Sequence, residues 1–524
     1  MANDVATTDA PVVEIASGKL RGALSAGIYS LKGVPYGAPT TGRNRFKPPA
    51  PPLPWAGVRD ALAYVGRAWQ LPNRPKRRPV LETLLGLADA TAEGEDCLTL
   101  NVWTPALGEG KRPVMVWLHG GAFAYGSGNR AVTDGTNLAR RGDVVVVSVN
   151  HRLNIFGFLH LADIGGPAWA HSGNAGMLDL VAALRWVRDN VACFGGDPDN
   201  VTIFGESGGG GKVSVLLAMP AARELFHRAI IQSGAAIRVS TRERAHALAE
   251  AVLKDLGVTH GDCEGLQSVP AERLLAAIAP ASRAVGRSSW PLLDRYNFGP
   301  VVDGSDLPQH PGEPGAPAIS DEIPLMIGGT QEESAFFLAD DDTVWNGSLS
   351  EAELRQRLAA VAGTQTDELL AAYRLAMPQA SPSDRLIAAL TGSNFWIRTV
   401  LLAERYAERR GTPVYAYSLD WQSPAHGGRL KAHHAMDLPF VFDNAEVADT
   451  TVGAPGAREL AARISATWIA FAWNGTPDNP AIPPWPAYSS RDRATMILDT
   501  ACHVAHDPDR DVRLLWTRVV AHDD

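Results

Sequence analysis

Six short apolar runs alternate with longer amphipathic segments along this chain, and that alternation restricts the fold more than any other feature. Runs of this kind are expected of strands that are covered on both faces. They are Val114–Leu118, Val144–Val149, Val201–Phe204, Ala229–Ile231, Leu325–Ile327 and Val414–Tyr417. Between the second and third runs, apolar residues recur at helical spacing from Met177 to Val191. A strand, a crossover helix and a further strand predict an α/β fold whose central, mostly parallel sheet is flanked by helices.

The chain has 524 residues, which is long enough for a large core and a deep interior site. No Ser/Gly-rich or Pro-rich linker isolates a part of it, so we predict a single domain over residues 1–524. Two helix-rich stretches, at about 241–294 and about 340–379, interrupt the rhythm of strands. We expect them to be insertions that roof the sheet.

The charge balance and the length of the apolar stretches exclude two classes of partner. The 48 Lys and Arg residues and the 57 Asp and Glu residues give a net charge of −9. A nucleic-acid scaffold needs a basic surplus to neutralise phosphates. The longest strongly apolar stretches also fall short of the ~20 residues that a membrane-spanning helix needs. We therefore expect no nucleic acid and no membrane as a partner, and the sequence leaves the oligomeric state open between a monomer and a homodimer.

The cysteines and the N-terminal residues indicate the cellular compartment in which the protein is expected. Four cysteines, Cys97, Cys193, Cys263 and Cys502, form no CxxC pair and are too few for a disulfide scaffold. The first residues contain neither a basic leader nor an apolar signal core. Together these features predict a cytoplasmic protein.

The sharpest local motif is G-x-S-x-G at Gly205–Gly209, between the apolar run that starts at Val201 and a helical pattern. A serine hydroxyl is a useful nucleophile only when it projects from a tight, strained turn toward a base. Glycines two places on either side of Ser207 remove Cβ atoms that would collide as strand and helix approach. The alternative is a glycine-rich turn with a bystander serine, and the motif alone does not separate the two.

A second small-residue loop, His119-Gly120-Gly121-Ala122, follows the first apolar run. Acyl transfer creates a tetrahedral oxyanion, which backbone N–H groups can reach where no side chain intervenes. The candidate donors are the N–H groups of Gly121, Ala122 and Gly208, and each such donor typically lowers the barrier by ~3 to 4 kcal/mol. The alternative is an ordinary glycine turn.

With these two motifs, the chain resembles the type-B carboxylesterases of the α/β-hydrolase superfamily, which include bacterial para-nitrobenzyl esterases and the cholinesterases. Further matching motifs occur in the family's order over residues ~15 to ~490. They are R-F-K-P-P at 45–49, E-D-C-L-T-L-N-V at 95–102, N-H-R-L at 150–153, F-G-G-D-P at 194–198, P-V-V-D-G at 300–304 and W-P-A-Y at 485–488. The resemblance implies an α/β-hydrolase fold in which helical insertions roof an active-site gorge.

The resemblance also implies a catalytic triad in the order serine, acid, histidine. The family's acid is a glutamate after a strand, and the matching segment 328–337 puts Glu333 there. The family's histidine precedes a D-L-P-F-like run by three residues, which assigns it to His434 and not to His433. His434 would then take the proton from Ser207, and Glu333 would fix the tautomer and stabilise the imidazolium. Sequence spacing by itself does not show that these residues meet.

Two further positions and two departures follow from the same resemblance. Glu206 and Ser233 match family positions near the histidine and are expected to support it rather than to react. Trp69 stands where secreted animal members have a cysteine that pairs with the one in E-D-C-L, so Cys97 is expected to be an unpaired core thiol, as in a cytoplasmic, bacterial-type member. Gly208 replaces a common alanine, which preserves the N–H donor but loosens the turn.

Two charged segments carry weaker signals. The basic loop Arg74–Pro79 could draw acidic substrates to the gorge, although a solvated loop is the better interpretation. The acidic run Asp340–Asp342 suggests a metal site, but a site for a hard cation needs ligands that converge from several turns of the chain. We predict no cofactor and no metal.

These features predict a serine carboxylesterase that hydrolyses uncharged short-acyl or aryl carboxylic esters, its small-molecule substrates, through an acyl-enzyme intermediate. Carbamate or amide hydrolysis by the same residues is an alternative, because the difference lies in protonating a poorer leaving group. A non-catalytic binding or adhesion homologue is a further alternative. The presence of Ser207, Glu333 and His434 counts against it.

Overall fold

A large mixed sheet lies at the centre of the protein. The computed structural model describes residues 10–71, 89–286, 297–409 and 411–522. The strands of these ranges, numbered along the chain, are β1 Val12–Ile15, β2 Gly18–Arg21, β3 Ala23–Ser25, β4 Ile28–Pro35, β5 Val58–Asp60, β6 Arg67–Ala68, β7 Glu93–Gly94, β8 Thr99–Thr104, β9 Gly108–Leu118, β10 Val145–Val149, β11 Phe194–Glu206, β12 Arg228–Gln232, β13 Ser240–Thr241, β14 Val301–Val302, β15 Leu325–Thr330, β16 Val414–Leu419, β17 Ala494–Leu498 and β18 His503–His506.

The large sheet contains eleven of these strands, in the order β18-β17-β16-β15-β12-β11-β9-β10-β8-β4-β3. The neighbours from β17 to β10 are parallel, whereas β18 at one edge and β8, β4 and β3 at the other are antiparallel. All six predicted apolar runs lie in the parallel block, as β9, β10, β11, β12, β15 and β16. The prediction of a mostly parallel central sheet is therefore confirmed. Smaller sheets consist of β1-β2-β5, β6-β7 and β13-β14.

Helices follow most strands of the parallel block. The α-helices are α1 Thr136–Gly142, α2 Asn154–Phe158, α3 Ala162–Gly165, α4 Ala175–Asn190, α5 Gly208–Leu216, α6 Arg242–Leu256, α7 Cys263–Gln267, α8 Ala271–Val285, α9 Ser334–Leu338, α10 Asp342–Trp345, α11 Glu351–Ala362, α12 Thr366–Ala376, α13 Pro382–Thr391, α14 Ile397–Ala407, α15 Leu438–Val441, α16 Ala457–Asn474 and α17 Arg510–His522. A π-helical turn, Gly392–Trp396, joins α13 to α14. Short 3-10 turns lie at Gly42–Asn44, Ala131–Thr133, Pro167–Trp169, Ser172–Asn174, Val191–Cys193, Pro220–Ala222, Ala318–Ser320, Gly363–Gln365 and Ala425–Gly428.

Both faces of the sheet are covered by apolar side chains. In β9, Val114, Val116 and Leu118 pack into one buried cluster, and the intervening Met115 and Trp117 pack into another. Helix α4 contributes to the first cluster and helix α16 to the second. Because each face has its own core, both sets of alternating side chains must be apolar, which explains the continuous apolar runs of the sequence.

The two predicted insertions are mainly helical where they are described. The first contains α6, α7 and α8, whose apolar faces join the cluster that also contains α4. The second contains α10, α11 and α12, which share a separate buried cluster with α13 and with Trp516 of α17. The undivided domain over 1–524 stays a prediction, as does the extent of the roof.

One helix of the described residues, Pro382–Ala407, is long and apolar enough to cross a membrane by length and composition. Its most apolar window has a mean hydropathy of 1.4, and half of that window is buried within the protein. The core helix of a soluble protein passes the same test. Here the buried half carries Leu386, Ile387 and Phe395 into the protein interior.

The cysteine prediction is confirmed for all four residues. Each is free, and Cys97 is buried. Burial raises the pKa of the Cys97 thiol above its ordinary range, so this thiol is a core side chain. The basic loop Arg74–Pro79 lies outside the described residues.

Candidate active site

Ser207 occupies a strained turn between β11 and α5. Its backbone has φ 58° and ψ −122°, a conformation that L-residues rarely adopt. The turn is held by a hydrogen bond from the Ser207 N–H to the carbonyl of Gln232, at 2.8 Å. Every other residue from 201 to 219 is buried, and only Ser207 is partly exposed. The elbow therefore presents a single side chain to open space.

Glycines permit the close approach of the strands and the helix at this elbow. A Cβ atom at Gly205 would lie 2.5 Å from the carbonyl carbon of Gly209, and one at Gly209 would overlap the carbonyl oxygen of Leu118. A Cβ atom at Gly234 would overlap the carbonyl oxygen of Ser207. The predicted steric role of Gly205 and Gly209 is confirmed.

Glu333 and His434 meet, although 101 residues separate them in sequence. Nδ1 of His434 donates a hydrogen bond to Oε2 of Glu333 at 2.5 Å. The other carboxylate oxygen accepts a hydrogen bond from the N–H of Thr330 at 2.9 Å. Glu333 follows β15, so the end of that strand fixes the carboxylate. The contact holds the imidazole in the tautomer whose Nε2 can accept a proton.

The loops that carry the acid and the histidine are joined by Glu332. Its N–H donates to the carbonyl of Ala432 at 3.0 Å, and its carboxylate accepts from the Ala432 N–H at 3.1 Å. His433, the neighbour of Ala432, is buried, and its Nδ1 donates to the carbonyl of His434 at 2.6 Å. Burial lowers the pKa of His433 to about 4. Glu332 and His433 therefore orient the loops that carry Glu333 and His434.

The Nε2 atom of His434 faces a second carboxylate. It lies 3.1 Å from Oε1 of Glu206, which is buried immediately before Ser207. Among the described residues, no hydrogen bond joins the Ser207 hydroxyl to His434. The imidazole thus lies between two carboxylates, with Ser207 adjacent in sequence to one of them.

The contact between Glu206 and His434 is accompanied by raised pKa values of both groups. Burial raises the pKa of Glu206 to about 8; the charge of His434 opposes the shift, while Asp437 and Glu333 add to it. Burial alone would lower the pKa of His434, but the negative charges of Glu206 and Glu333 outweigh it and raise the pKa to about 9. The charged forms of His434 and Glu206 therefore stabilise each other.

The predicted oxyanion loop runs directly beside Ser207. A Cβ atom at Gly120 would lie 3.4 Å from Cβ of Ser207 and 2.9 Å from Oε2 of Glu206. Gly121 and Ala122 have φ values of 99° and 54°, so the loop turns sharply at the two predicted donors. A Cβ atom at Gly208 would overlap the backbone of Ala122. The absent side chain at Gly208 thus brings the helix and the loop together, which is tighter packing than the loosened turn expected from sequence.

Ser233 lies near the acid end of this arrangement. Its backbone has φ 50°, and its N–H donates to the carbonyl of Gly328 at 2.8 Å. A Cβ atom at Gly329 would lie 3.2 Å from Oγ of Ser233 and 2.7 Å from Oε1 of Glu333. Gly329 therefore leaves a small space that the hydroxyl and the carboxylate share.

The comparisons with known proteins bear on what this arrangement does. A family model described as "Carboxylesterase family" matches residues 9–512. The chain belongs to the carboxylesterase family. It is 38% identical over 511 residues to the para-nitrobenzyl esterase of Bacillus subtilis, with 96% of this chain and 97% of that protein covered. It is 36% identical to the phenmedipham hydrolase of Pseudarthrobacter oxydans, with 95% and 97% covered.

A solved structure gives the same result. A crystal structure of a Geobacillus stearothermophilus carboxylesterase superposes with a TM-score of 0.81 at 39% identity, covering 96% of this chain and 99% of that one. The fold is therefore that of the α/β-hydrolases, and the protein is a carboxylic ester hydrolase.

Three phenylalanines surround the imidazole of this carboxylesterase. Their ring centroids lie 6.2 Å (Phe336), 5.0 Å (Phe337) and 5.0 Å (Phe395) from that of His434. Phe337 and Phe395 are stacked on each other at 5.7 Å, and Phe337 is 46% exposed. Phe337 is therefore a partly exposed aromatic side chain close to the imidazole, and such rings pack favourably with other aromatic groups.

Sequence reasoning missed two residues of this site. Asp437, three residues after His434, accepts hydrogen bonds from Gln232 at 2.8 Å and Tyr417 at 3.1 Å, and burial raises its pKa to about 6. The signal was present, because Asp437 begins the D-L-P-F run that located the histidine. Phe395 had no sequence signal, since it reaches His434 only through the π-helical turn.

No group of three or more His, Cys, Asp or Glu residues that could hold a metal occurs within the described ranges. Asp341 of the acidic run instead caps α10, accepting from the N–H groups of Thr343 and Val344. It also forms an ion pair with Arg357 at 2.5 Å. These contacts account for this carboxylate as a helix cap.

Proposed function

We propose that the esterase hydrolyses uncharged short-acyl and aryl carboxylic esters, with Ser207 as the nucleophile, His434 as the base and Glu333 as the acid of a catalytic triad. The single observation that carries the proposal is the 2.5 Å hydrogen bond between His434 and Glu333. This pair lies beside an elbow at which Ser207 alone reaches open space. A buried acid that orients an imidazole is the arrangement that activates a serine hydroxyl.

The reaction proceeds through two half-reactions. Nε2 of His434 accepts the proton of Ser207 as Oγ attacks the ester carbonyl carbon, and the N–H groups of Gly121, Ala122 and Gly208 stabilise the resulting oxyanion. The imidazolium, stabilised by Glu333, then protonates the leaving alcohol. A water molecule, deprotonated by His434, hydrolyses the acyl-enzyme and regenerates Ser207. Proton transfer requires His434 to exchange its contact with Glu206 for one with Ser207.

The aromatic residues support aryl substrates in particular. His434 protonates the leaving group, so the alcohol part of the ester lies on the side of the imidazole. Phe337 and Phe395 stack there, and Phe337 is partly exposed. An aryl or benzyl alcohol moiety gains apolar burial and ring stacking at this position.

Carbamate hydrolysis is the second candidate activity. It is favoured by the 36% identity to a protein named phenmedipham hydrolase. The same triad cleaves a carbamate, with a slower second half-reaction because nitrogen donation stabilises the carbamoyl-enzyme. Amide hydrolysis, which needs protonation of a poorer leaving group, is expected to be slowest.

Burst kinetics test the proposal. With 4-nitrophenyl acetate, an initial release of one nitrophenol per enzyme molecule is expected, followed by steady turnover. Ser207→Ala should lower kcat by about 10⁶-fold, as in other serine triads. Unchanged turnover in that variant would refute Ser207 as the nucleophile. Phenyl acetate, a phenyl carbamate and acetanilide compared at equal concentration would rank the three activities.

The proposed setting is the cytoplasm of a bacterium. The free cysteines and the bacterial relatives support it. Fractionation of the source cells, followed by assay of both fractions, would test it. Gel filtration of the purified protein would distinguish a monomer from a homodimer.

A further inference from the structure

Lys212 is a fully buried lysine in α5, five residues after the nucleophile. Its side chain has no exposed surface. Its Nζ donates a hydrogen bond to the carbonyl of His119 at 2.7 Å and lies 5.8 Å from the ring centroid of Phe123. No carboxylate lies within ion-pair distance of this amine in the part of the chain that the structure describes. A lysine is rarely buried without a charged partner, so its presence requires an explanation.

The partner of Lys212 is the first carbonyl of the oxyanion loop. The next carbonyl, that of Gly120, accepts a hydrogen bond from Nδ1 of the His119 ring at 2.8 Å. In a trans peptide the C=O and the following N–H point in opposite directions. Holding the His119 carbonyl therefore fixes the N–H of Gly120, and holding the Gly120 carbonyl fixes the N–H of Gly121, a proposed oxyanion donor.

The surroundings of the Lys212 amine disfavour its positive charge. Burial, with the nearby positive charge of Arg130, lowers the pKa of Lys212 well below its ordinary range, and Glu206 opposes the shift. Burial and Lys212 in turn lower the pKa of His119. A neutral His119 that carries its proton on Nδ1 makes the observed hydrogen bond to Gly120.

We propose that Lys212 is a positioning residue for ester hydrolysis, which ties the helix that begins at the nucleophile to the loop that carries the oxyanion donors. This role rests on the proposed function of Ser207 and of the loop. Because α5 starts directly after Ser207, a bond from α5 to His119 sets the distance between the attacking oxygen and the N–H groups that receive the oxyanion. The contribution is made in the transition state, where donor placement matters most.

Lys212→Met tests the proposal, because methionine fills a similar volume and removes the donor. We expect kcat for 4-nitrophenyl acetate to fall about 10- to 100-fold with KM changed less than about 3-fold, a smaller loss than deletion of an oxyanion donor. The Ki of trifluoroacetophenone, which forms a tetrahedral adduct with serine, should rise by the same factor as kcat/KM falls. The Ki of acetophenone, which binds without an adduct, should stay unchanged. Lys212→Gln keeps an N–H donor and should recover part of the loss.

Ser214→Ala is the matched control, since Ser214 is buried in the same helix and its hydroxyl donates to Gly210 and accepts from Ala236. It should lower Tm and leave kcat and both Ki values unchanged. If the Lys212→Met variant has a lower Tm but unchanged kcat and unchanged Ki values, the proposal is overturned. If Lys212→Met does not fold, Lys212→Gln decides: parallel changes in kcat and in the trifluoroacetophenone Ki support the proposal, and unchanged values overturn it. If the Ser207→Ala variant retains turnover, the proposal that fails is instead the assignment of Ser207 as the nucleophile.

Discussion

Nε2 of His434 lies 3.1 Å from Oε1 of Glu206, the residue that immediately precedes Ser207. The proposed base therefore contacts one carboxylate through each ring nitrogen, and Glu333 alone does not set its proton affinity. Both negative charges favour the imidazolium. The pH at which the enzyme gains activity should accordingly report on Glu206 as well as on Glu333.

Glu206→Gln should move the acid limb of the pH profile of kcat/KM to lower pH. The pKa of His434 is raised to about 9, and Glu206 is the largest contributor to that increase. A raised pKa means that the imidazole becomes neutral only at higher pH, so the wild-type limb is expected above the ordinary histidine value of about 6.5. Removing the Glu206 charge lowers the pKa and moves the limb down.

Asp420→Asn serves as the control for this experiment. Asp420 is a largely buried carboxyl whose pKa is raised by burial, but it is not among the groups that shift His434. Its substitution should leave the limb in place. If the acid limb of the kcat/KM profile does not move in the Glu206→Gln variant, the proposed influence of Glu206 on the base His434 is contradicted.

Gly208→Ala should impair catalysis more than binding. The added Cβ atom would overlap the backbone of Ala122 and push the oxyanion loop away from Ser207. We expect kcat to fall about 10- to 100-fold, approaching the loss of a single oxyanion donor. Steady-state kinetics with 4-nitrophenyl acetate would measure the change.

Gly211→Ala, in the same helix, is the matched control. Its Cβ atom would make only ordinary contact with the Phe123 ring, at 3.6 Å. Alanine is a better helix former than glycine, so stability should rise by about 0.4–1 kcal/mol while kcat stays unchanged. Equal kinetics in the two variants would show that Gly208 does not hold the loop.

Phe337→Ala should discriminate between aryl and alkyl esters. Phe337 is 46% exposed and stacks on Phe395 beside His434. An aromatic contact is worth about 0.5–1.5 kcal/mol beyond burial of area, so KM for phenyl acetate should rise about 3- to 10-fold. KM for ethyl acetate should change little. A similar rise for both esters would argue against an aryl position at this ring.

Asp179→Ala should strongly destabilise the fold. Asp179 and Arg152 form a buried ion pair, with Nη2 2.6 Å from one carboxylate oxygen and Nε 2.8 Å from the other. Removal of one partner leaves a buried charge and costs about 3–5 kcal/mol. Asp367→Ala, which removes an exposed partner of Arg355, should change stability by less than about 1 kcal/mol. Thermal unfolding would compare the two, and equal Tm shifts would contradict the importance of burial.

The parallel centre of the sheet could be predicted from the sequence because both of its faces are buried. Near-continuous apolar runs such as β10, in which four of five residues are valine, are typical of strands that are buried on both faces. Strand β8 was not predicted, since Asn101 and Thr104 interrupt its apolar pattern. The structure shows that Asn101 is buried and donates to Ser148 at 3.0 Å, so a satisfied polar network replaces apolar packing there.

The matching family motifs gave positions, and the structure gives their physical roles. Arg45 of R-F-K-P-P forms a bidentate ion pair with Glu95 of E-D-C-L, at 2.5 and 2.8 Å. Asp303 of P-V-V-D-G accepts a hydrogen bond from Asn174 at 2.9 Å. These contacts join segments far apart in the sequence, and no local pattern reveals them.

The elbow was predictable for the opposite reason, since Gly205, Ser207 and Gly209 lie within five consecutive residues and their steric demands are local. The contacts of Glu206 and Phe395 with His434 depend on the path of the whole chain. The resemblance supplied Glu333 and His434 and placed Glu206 near the histidine, but it did not indicate which ring nitrogen faces Glu206. Long-range contacts of this kind require coordinates.

The π-helical turn Gly392–Trp396 places Phe395 against the imidazole. A Cβ atom at Gly392 would lie 2.5 Å from Nε1 of Trp516 and 2.7 Å from the hydroxyl of Tyr373, so the turn is packed tightly against α17 and α12. A π-turn holds one more residue than the regular helix around it. Deleting one residue here would restore the α-helical register and rotate the neighbouring side chains by about 100° about the axis. Substrate range in this enzyme could therefore diverge through a change in chain length, with every residue that performs the chemistry retained.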